Sequence, residues 1–161
     1  MPQPQPHKAG WNQASSSLLE LDLGDTALSD QGLANLAVRC KLLQVLRLCH
    51  CDELSDDGVF AVIANLRQLR HLDMGYCRDV TEVSLAGLPH GCPELQNLTL
   101  PGVGLSQEIS LQLPALQGLN LKGLNCVGDR TIVESLGPDC QLRYINLAEA
   151  SVGDEVTARC S

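Results

Sequence analysis

The chain has 161 residues, 44 % of them hydrophobic, which argues for one folded domain rather than a disordered chain. Its formal net charge is -8 with eleven scattered Lys and Arg, and this argues against nucleic-acid binding, which needs a concentrated basic patch. Aromatics make up only 2 %, so leucine has to fill the interior; with eight cysteines, no apolar N-terminal leader and no run able to span a bilayer, a reducing compartment is expected, cytoplasmic or nuclear, and no membrane partner.

Residues 1–17 read as a flexible N-terminal segment, rich in proline, with Trp11 placed to fold over the first repeat unit as a small cap. Residues 18–161 then repeat the pattern L-x-x-L-x-L six times. The triplets are Leu18/Leu21/Leu23, Leu43/Leu46/Leu48, Leu69/Leu72/Met74, Leu95/Leu98/Leu100, Leu116/Leu119/Leu121 and Leu142/Ile145/Leu147. Successive units start 25 or 26 residues apart, except for the 21 between Leu95 and Leu116. The alternating L-x-L of each unit predicts a short strand with one buried face.

After each of the first strands comes a helix start. Leu28-Ser29-Asp30, Leu54-Ser55-Asp56-Asp57 and Val80-Thr81-Glu82 each place a hydroxyl at the cap and acids at the positive end of the helix. Asp129 and Asp154 are expected to serve the same end. Leu33, Leu36 and Ala37, then Val59, Val62, Ile63 and Leu66, form helical stripes that cover the strands. The fourth unit, Pro101 to Pro114, is too short for a helix and predicts a turn or short 3₁₀ segment. The sixth is incomplete, so its edge from Leu142 to Leu147 is expected to be covered by a partner, a longer chain or another copy.

The cysteines raise metal and redox readings. Cys49-His50-Cys51 lies one repeat from Cys77, yet tetrahedral zinc wants paired C-x₂₋₄-C motifs and these side chains diverge, so no metal is expected. A Cys51–Cys77 disulfide fits the strand spacing but not a reducing compartment, and Cys160 is the thiol best placed to react. The sequon Asn97-Leu98-Thr99 has no meaning outside the secretory pathway. Asp22, His71 and Asp73 fall on one surface and resemble a catalytic cluster, but an open strand face offers no pocket for a general base. No nucleotide or cofactor motif is present, and a non-enzymatic role is expected.

The second unit carries Cys40, Leu43, Leu46, Leu48, Cys51, Leu54, Ser55, Asp56 and Gly58; the third matches from Leu69 through Cys77 to Thr81, and the fourth has Cys92, Leu95, Leu98 and Leu100. In these positions the chain resembles the cysteine-containing subfamily of leucine-rich repeats, found in F-box/LRR proteins and in F-box-free proteins of the antagonist-of-mitotic-exit-network kind. The resemblance implies an α/β fold: a right-handed leucine-rich repeat solenoid, a ribonuclease-inhibitor-like horseshoe segment with about six parallel strands on the concave face and helices on the convex face. It also implies substrate recognition for a cullin-RING ubiquitin ligase, although the first 17 residues are too few for an F-box, as in a fragment or an F-box-free relative. The alternative is a structural or assembly subunit of a large complex.

The repeat's phase allots the outward strand positions. From these a protein partner is expected to meet Asp22, Arg47, His50, His71, Asp73, Tyr76, Asn120, Lys122, Tyr144 and Asn146, with Arg47, Tyr76 and Tyr144 as anchors because Tyr and Arg are enriched at binding hot spots.

Overall fold

The structure is a computed structural model that describes residues 17–135, 141–154 and 156. The expected Trp11 cap, all but the last residue of the 1–17 segment, the end of the sixth unit and Cys160 lie outside the described residues.

Six three-residue strands form one parallel sheet in chain order: β1 (Glu20–Asp22), β2 (Val45–Arg47), β3 (His71–Asp73), β4 (Asn97–Thr99), β5 (Gly118–Asn120) and β6 (Tyr144–Asn146). Each sits where its L-x-x-L-x-L predicts. The central leucines are in register, Leu21 beside Leu46, then Leu72, Leu98, Leu119 and Ile145. A period of two on a parallel ladder puts these side chains on one face, where they meet the helices and close a continuous leucine core.

Helices return the chain behind the sheet. α1 (Asp30–Arg39) and α2 (Asp56–Asn65) bury Leu33 and Ala37, and Val59 and Val62, as the stripes predict. The third unit breaks into α3 (Glu82–Leu85) and α4 (Leu88–Gly91), since Gly87 and Pro89 interrupt it. α5 (Asp129–Ser135) belongs to the fifth unit. Between β4 and β5 there is no helix, as expected; turns at 101–102 and 114–115 flank a stretch in which Ile109, Leu111 and Leu113 are buried while Ser110 and Gln112 are exposed, the two-residue period of extended chain. Its shortness leaves too few residues for a helix, and extension lets alternate apolar side chains reach the core.

The capping residues do more than the sequence predicts. Ser29, Ser55 and Thr81 accept hydrogen bonds from the N–H groups of Gly32, Asp57 and Val83. The acid that follows each cap reaches into the next repeat. Asp30 accepts from Ser55 N (2.9 Å), Ser55 Oγ (2.7 Å) and Gly58 N (3.0 Å). Asp56 accepts from Thr81 N (2.9 Å), Thr81 Oγ1 (2.6 Å) and Ser84 Oγ (2.5 Å), and Glu82 from Ser106 N and Oγ. Asp129 accepts from Gly153 N at 2.5 Å. At the step from the fourth to the fifth unit the positions are held by Gln107 and Gly128, so neither the acid nor the hydroxyl recurs there.

The cysteines play a parallel part. Cys51 and Cys77 are fully buried, and each thiol donates 3.1 Å to the strand-end carbonyl of the preceding unit, Leu23 O and Leu48 O. Cys92 points to Leu66 O at 3.7 Å. A small buried side chain with one weak donor fits this site. Cys51 and Cys77 are free thiols, and among the described residues no cluster of His, Cys, Asp and Glu is placed to hold a metal.

The candidate site on the strand face

The side chains that alternate with the core leucines form two rows across the sheet. The first holds Glu20, Val45, His71, Asn97, Gly118 and Tyr144; the second holds Asp22, Arg47, Asp73, Thr99, Asn120 and Asn146. Arg47 stands between Asp22 and Asp73 in register and reaches back to Glu20, Nη1 to Oε1 at 2.5 Å. That hydrogen bond, with Asp22 and Asp73 nearby, holds the guanidinium above its ordinary value. Burial, and then the carboxylates of Asp73, Asp25 and Asp22, push the half-buried Cys49 thiol up as well. Its thiolate is therefore disfavoured.

In the second row the side chains also end the strands. Asp22 and Asp73 accept from the N–H groups of Gly24 and Gly75 two residues on, at 3.0 and 2.9 Å; Asn120 and Asn146 do the same for Lys122 and Ala148, at 3.2 and 3.1 Å. These are Asx turns, made by the two side chains that most readily close them. Four of the residues expected to meet a partner thus have a local structural role, which spacing alone does not reveal. The signal was their recurrence as Asp or Asn at one repeat position.

Three residues further on, every unit turns through the left-handed region. Asp25, His50, Tyr76, Gly102, Gly123 and Glu149 have φ of 58°, 57°, 63°, 65°, 75° and 62°. The N–H groups of Asp25, His50 and Tyr76 donate to Cys49 O, Gly75 O and Pro101 O, which extends the ladder past the strands and fixes the turn. Within this row the rings of His50 and Tyr76 stack, centroids 4.4 Å apart and 7° from parallel. Gly102 lies on the other side of Tyr76, where a Cβ would meet ring atom Cδ1 at 2.6 Å. Tyr76, 40 % exposed, is held between a ring and a glycine.

On strands β2 to β4 of the same face is a depression of about 120 Å³ lined by Arg47, His71, Asp73, Asn97 and Thr99, with Leu46 and Leu72 below. Small-molecule pockets run to roughly 300–1,000 Å³, so it has room for one side chain. No hydrogen bond joins His71 to Asp22 or Asp73, and the three do not form a relay. Arg47, His50, His71, Asp73 and Tyr76 are thus brought together with Asp22. At the far end Lys122 pairs with Glu149 at 3.4 Å, and Tyr144 stands 58 % exposed in the row with His71. Tyr144, Asn120, Lys122 and Asn146 therefore form a second group, two strands away from the stack.

Among the described residues no helix is long and apolar enough to cross a membrane. A family model described as Leucine Rich repeat matches residues 14–37. The chain is similar to F-box/LRR-repeat protein 4 of Bos taurus, 33 % identical over 76 % of this chain and 21 % of that protein. It is also similar to Antagonist of mitotic exit network protein 1 of Eremothecium gossypii, 32 % identical over 73 % of this chain and 31 % of that one. A third relative is F-box protein SKIP1 of Arabidopsis thaliana, 31 % identical over 44 % and 23 %. The chain spans less than a third of the length of each of these curated relatives.

Proposed function

Because the chain folds as a leucine-rich repeat solenoid and is similar to F-box/LRR and antagonist-of-mitotic-exit-network proteins, we propose that it is a non-enzymatic protein-interaction module that holds its partner against the strand face. The observation that carries this reading is the His50–Tyr76 stack, a rigid aromatic edge on the same face as a side-chain-sized depression. Rigid aromatics next to pockets are what binding hot spots are made of. The biological setting is substrate recognition for a cullin-RING ubiquitin ligase, a reading supported by the F-box names among the relatives. The chain's place of action on this reading is the cytoplasm, with the nucleus as the alternative.

The second reading, a structural subunit of a large assembly, draws on the helix side, where Val38, Phe60 and Val83 are exposed. Co-purification separates the two. With tagged wild-type chain, recovery of a cullin-ligase adaptor supports the first reading and stoichiometric recovery with one stable assembly supports the second. The double substitution His50→Ala with Tyr76→Ala is expected to abolish recovery, and Phe60→Ser with Val83→Ser to leave it intact. The reverse pattern would move the interface to the helices.

A further inference from the structure

The strand face is unevenly charged. Its first three units carry four carboxylates, Glu20, Asp22, Asp25 and Asp73, against one guanidinium, Arg47. Arg47 is taken up by Glu20. Asp22 and Asp73 each use Oδ1 on a glycine N–H, which leaves Oδ2 of both for another donor. Asp73 lines the depression and Asp22 stands one strand further out beside Arg47, so charge and shape fall on the same end of the face.

We infer that this end of the strand face docks an extended basic stretch of a protein partner, with Lys or Arg heads at Asp22 and Asp73 and the adjoining side chain against the His50–Tyr76 stack. The inference rests on the strand-face reading above and adds the partner's chemistry. Complementary charge steers such a segment in and rejects acidic ones.

The fold supplies a conservative test. Asn120 and Asn146 close in later repeats the turn that Asp22 and Asp73 close in earlier ones, so Asp22→Asn and Asp73→Asn remove charge while keeping the turn. The probes are a fluorescein-labelled nonapeptide alternating Arg and Thr and its counterpart alternating Glu and Thr, read by fluorescence anisotropy at low and high salt. Wild-type chain is expected to bind the Arg peptide, more weakly at high salt, and to ignore the Glu peptide. The Asp22→Asn/Asp73→Asn variant should bind it about tenfold more weakly, from two exposed pairs each somewhat above the middle of their usual strength.

A variant with the same charge change outside the strand face, Asp57→Asn with Glu94→Gln, should lose less than about twofold. Equal losses in the two double variants, or no preference for the Arg peptide, would overturn the inference. Neither result touches the strand-face reading, which stands or falls on the His50→Ala/Tyr76→Ala co-purification.

Discussion

Removing the Asp56 carboxylate tests whether acids couple the repeats. In Asp56→Ala, Thr81 loses the acceptor for its N–H and its hydroxyl, and the Ser84 hydroxyl keeps only the longer bond to Thr81 O at 3.4 Å. A hydrogen bond to a charged group contributes roughly 1.5–3 kcal/mol, and water replaces part of it at this half-buried site. The expected loss is about 3 kcal/mol, or roughly 6–12 °C in Tm for a chain of this size. The measurement is urea denaturation followed by circular dichroism. Asp57→Ala, an exposed acid one residue on, should cost less than about 0.5 kcal/mol.

The pH dependence gives an independent check. Burial raises the Asp56 pKa, but the hydrogen bonds from Ser84 and Thr81 outweigh it, and the carboxyl is held below its ordinary value. A lowered folded pKa means stability that is fully present above the unfolded value of about 3.9 and lost as pH falls through the folded one. The gap between wild type and Asp56→Ala should therefore be full at neutral pH and shrink in acid. Equal stability of the two at neutral pH, or a cost for Asp57→Ala as large as for Asp56→Ala, would refute the coupling.

Glycine substitutions probe the same architecture. Gly58→Ala should destabilise by about 1–2 kcal/mol despite alanine's better helix propensity, because its Cβ would meet Asp30 Oδ1 at 2.5 Å; Gly32→Ala, at the same helix position and against the mobile end of Leu28, should be neutral or stabilising in the same denaturation assay. Gly102→Ala combines a positive φ with the Tyr76 ring and should displace the stack, weakening partner recovery. Gly123→Ala, with nothing nearer than Glu149 Oε2 at 3.9 Å, should cost only backbone strain of about 1 kcal/mol and leave recovery unchanged. Burial pushes the Cys77 and Cys92 thiols up to about 12 and about 11, so iodoacetamide at mildly alkaline pH should label both only after unfolding, as read by peptide mass spectrometry.

Much of the fold was legible because leucine is both the core and its own ruler. A residue that must point inward twice per strand, once per repeat, leaves a pattern that no other arrangement explains, and all six strands followed from it. Caps were legible for a similar reason, since Ser29, Ser55 and Thr81 act on their own helix. What the sequence could not display were bonds between units. Asp30 and Asp56 read as helix-end acids, and only the stacking of one turn over the next shows that they hold the following repeat. Likewise Asp22 and Asp73 read as free surface while each closes its own strand. The rings of His50 and Tyr76 lie 26 residues apart, and their contact depends on a left-handed turn recurring in register.

That recurring turn has an evolutionary consequence. Glycine takes a positive φ freely, whereas other residues give up about 1 kcal/mol there. Two of the six units use glycine; Asp25, His50, Tyr76 and Glu149 do not. At these four places the scaffold is less stable than its own best sequence would make it, a departure expected where activity competes with stability. His50→Gly and Asp25→Gly should each ease the backbone, and on the proposed strand-face reading a lineage drifting toward glycine along this lane would keep the solenoid and lose its partner.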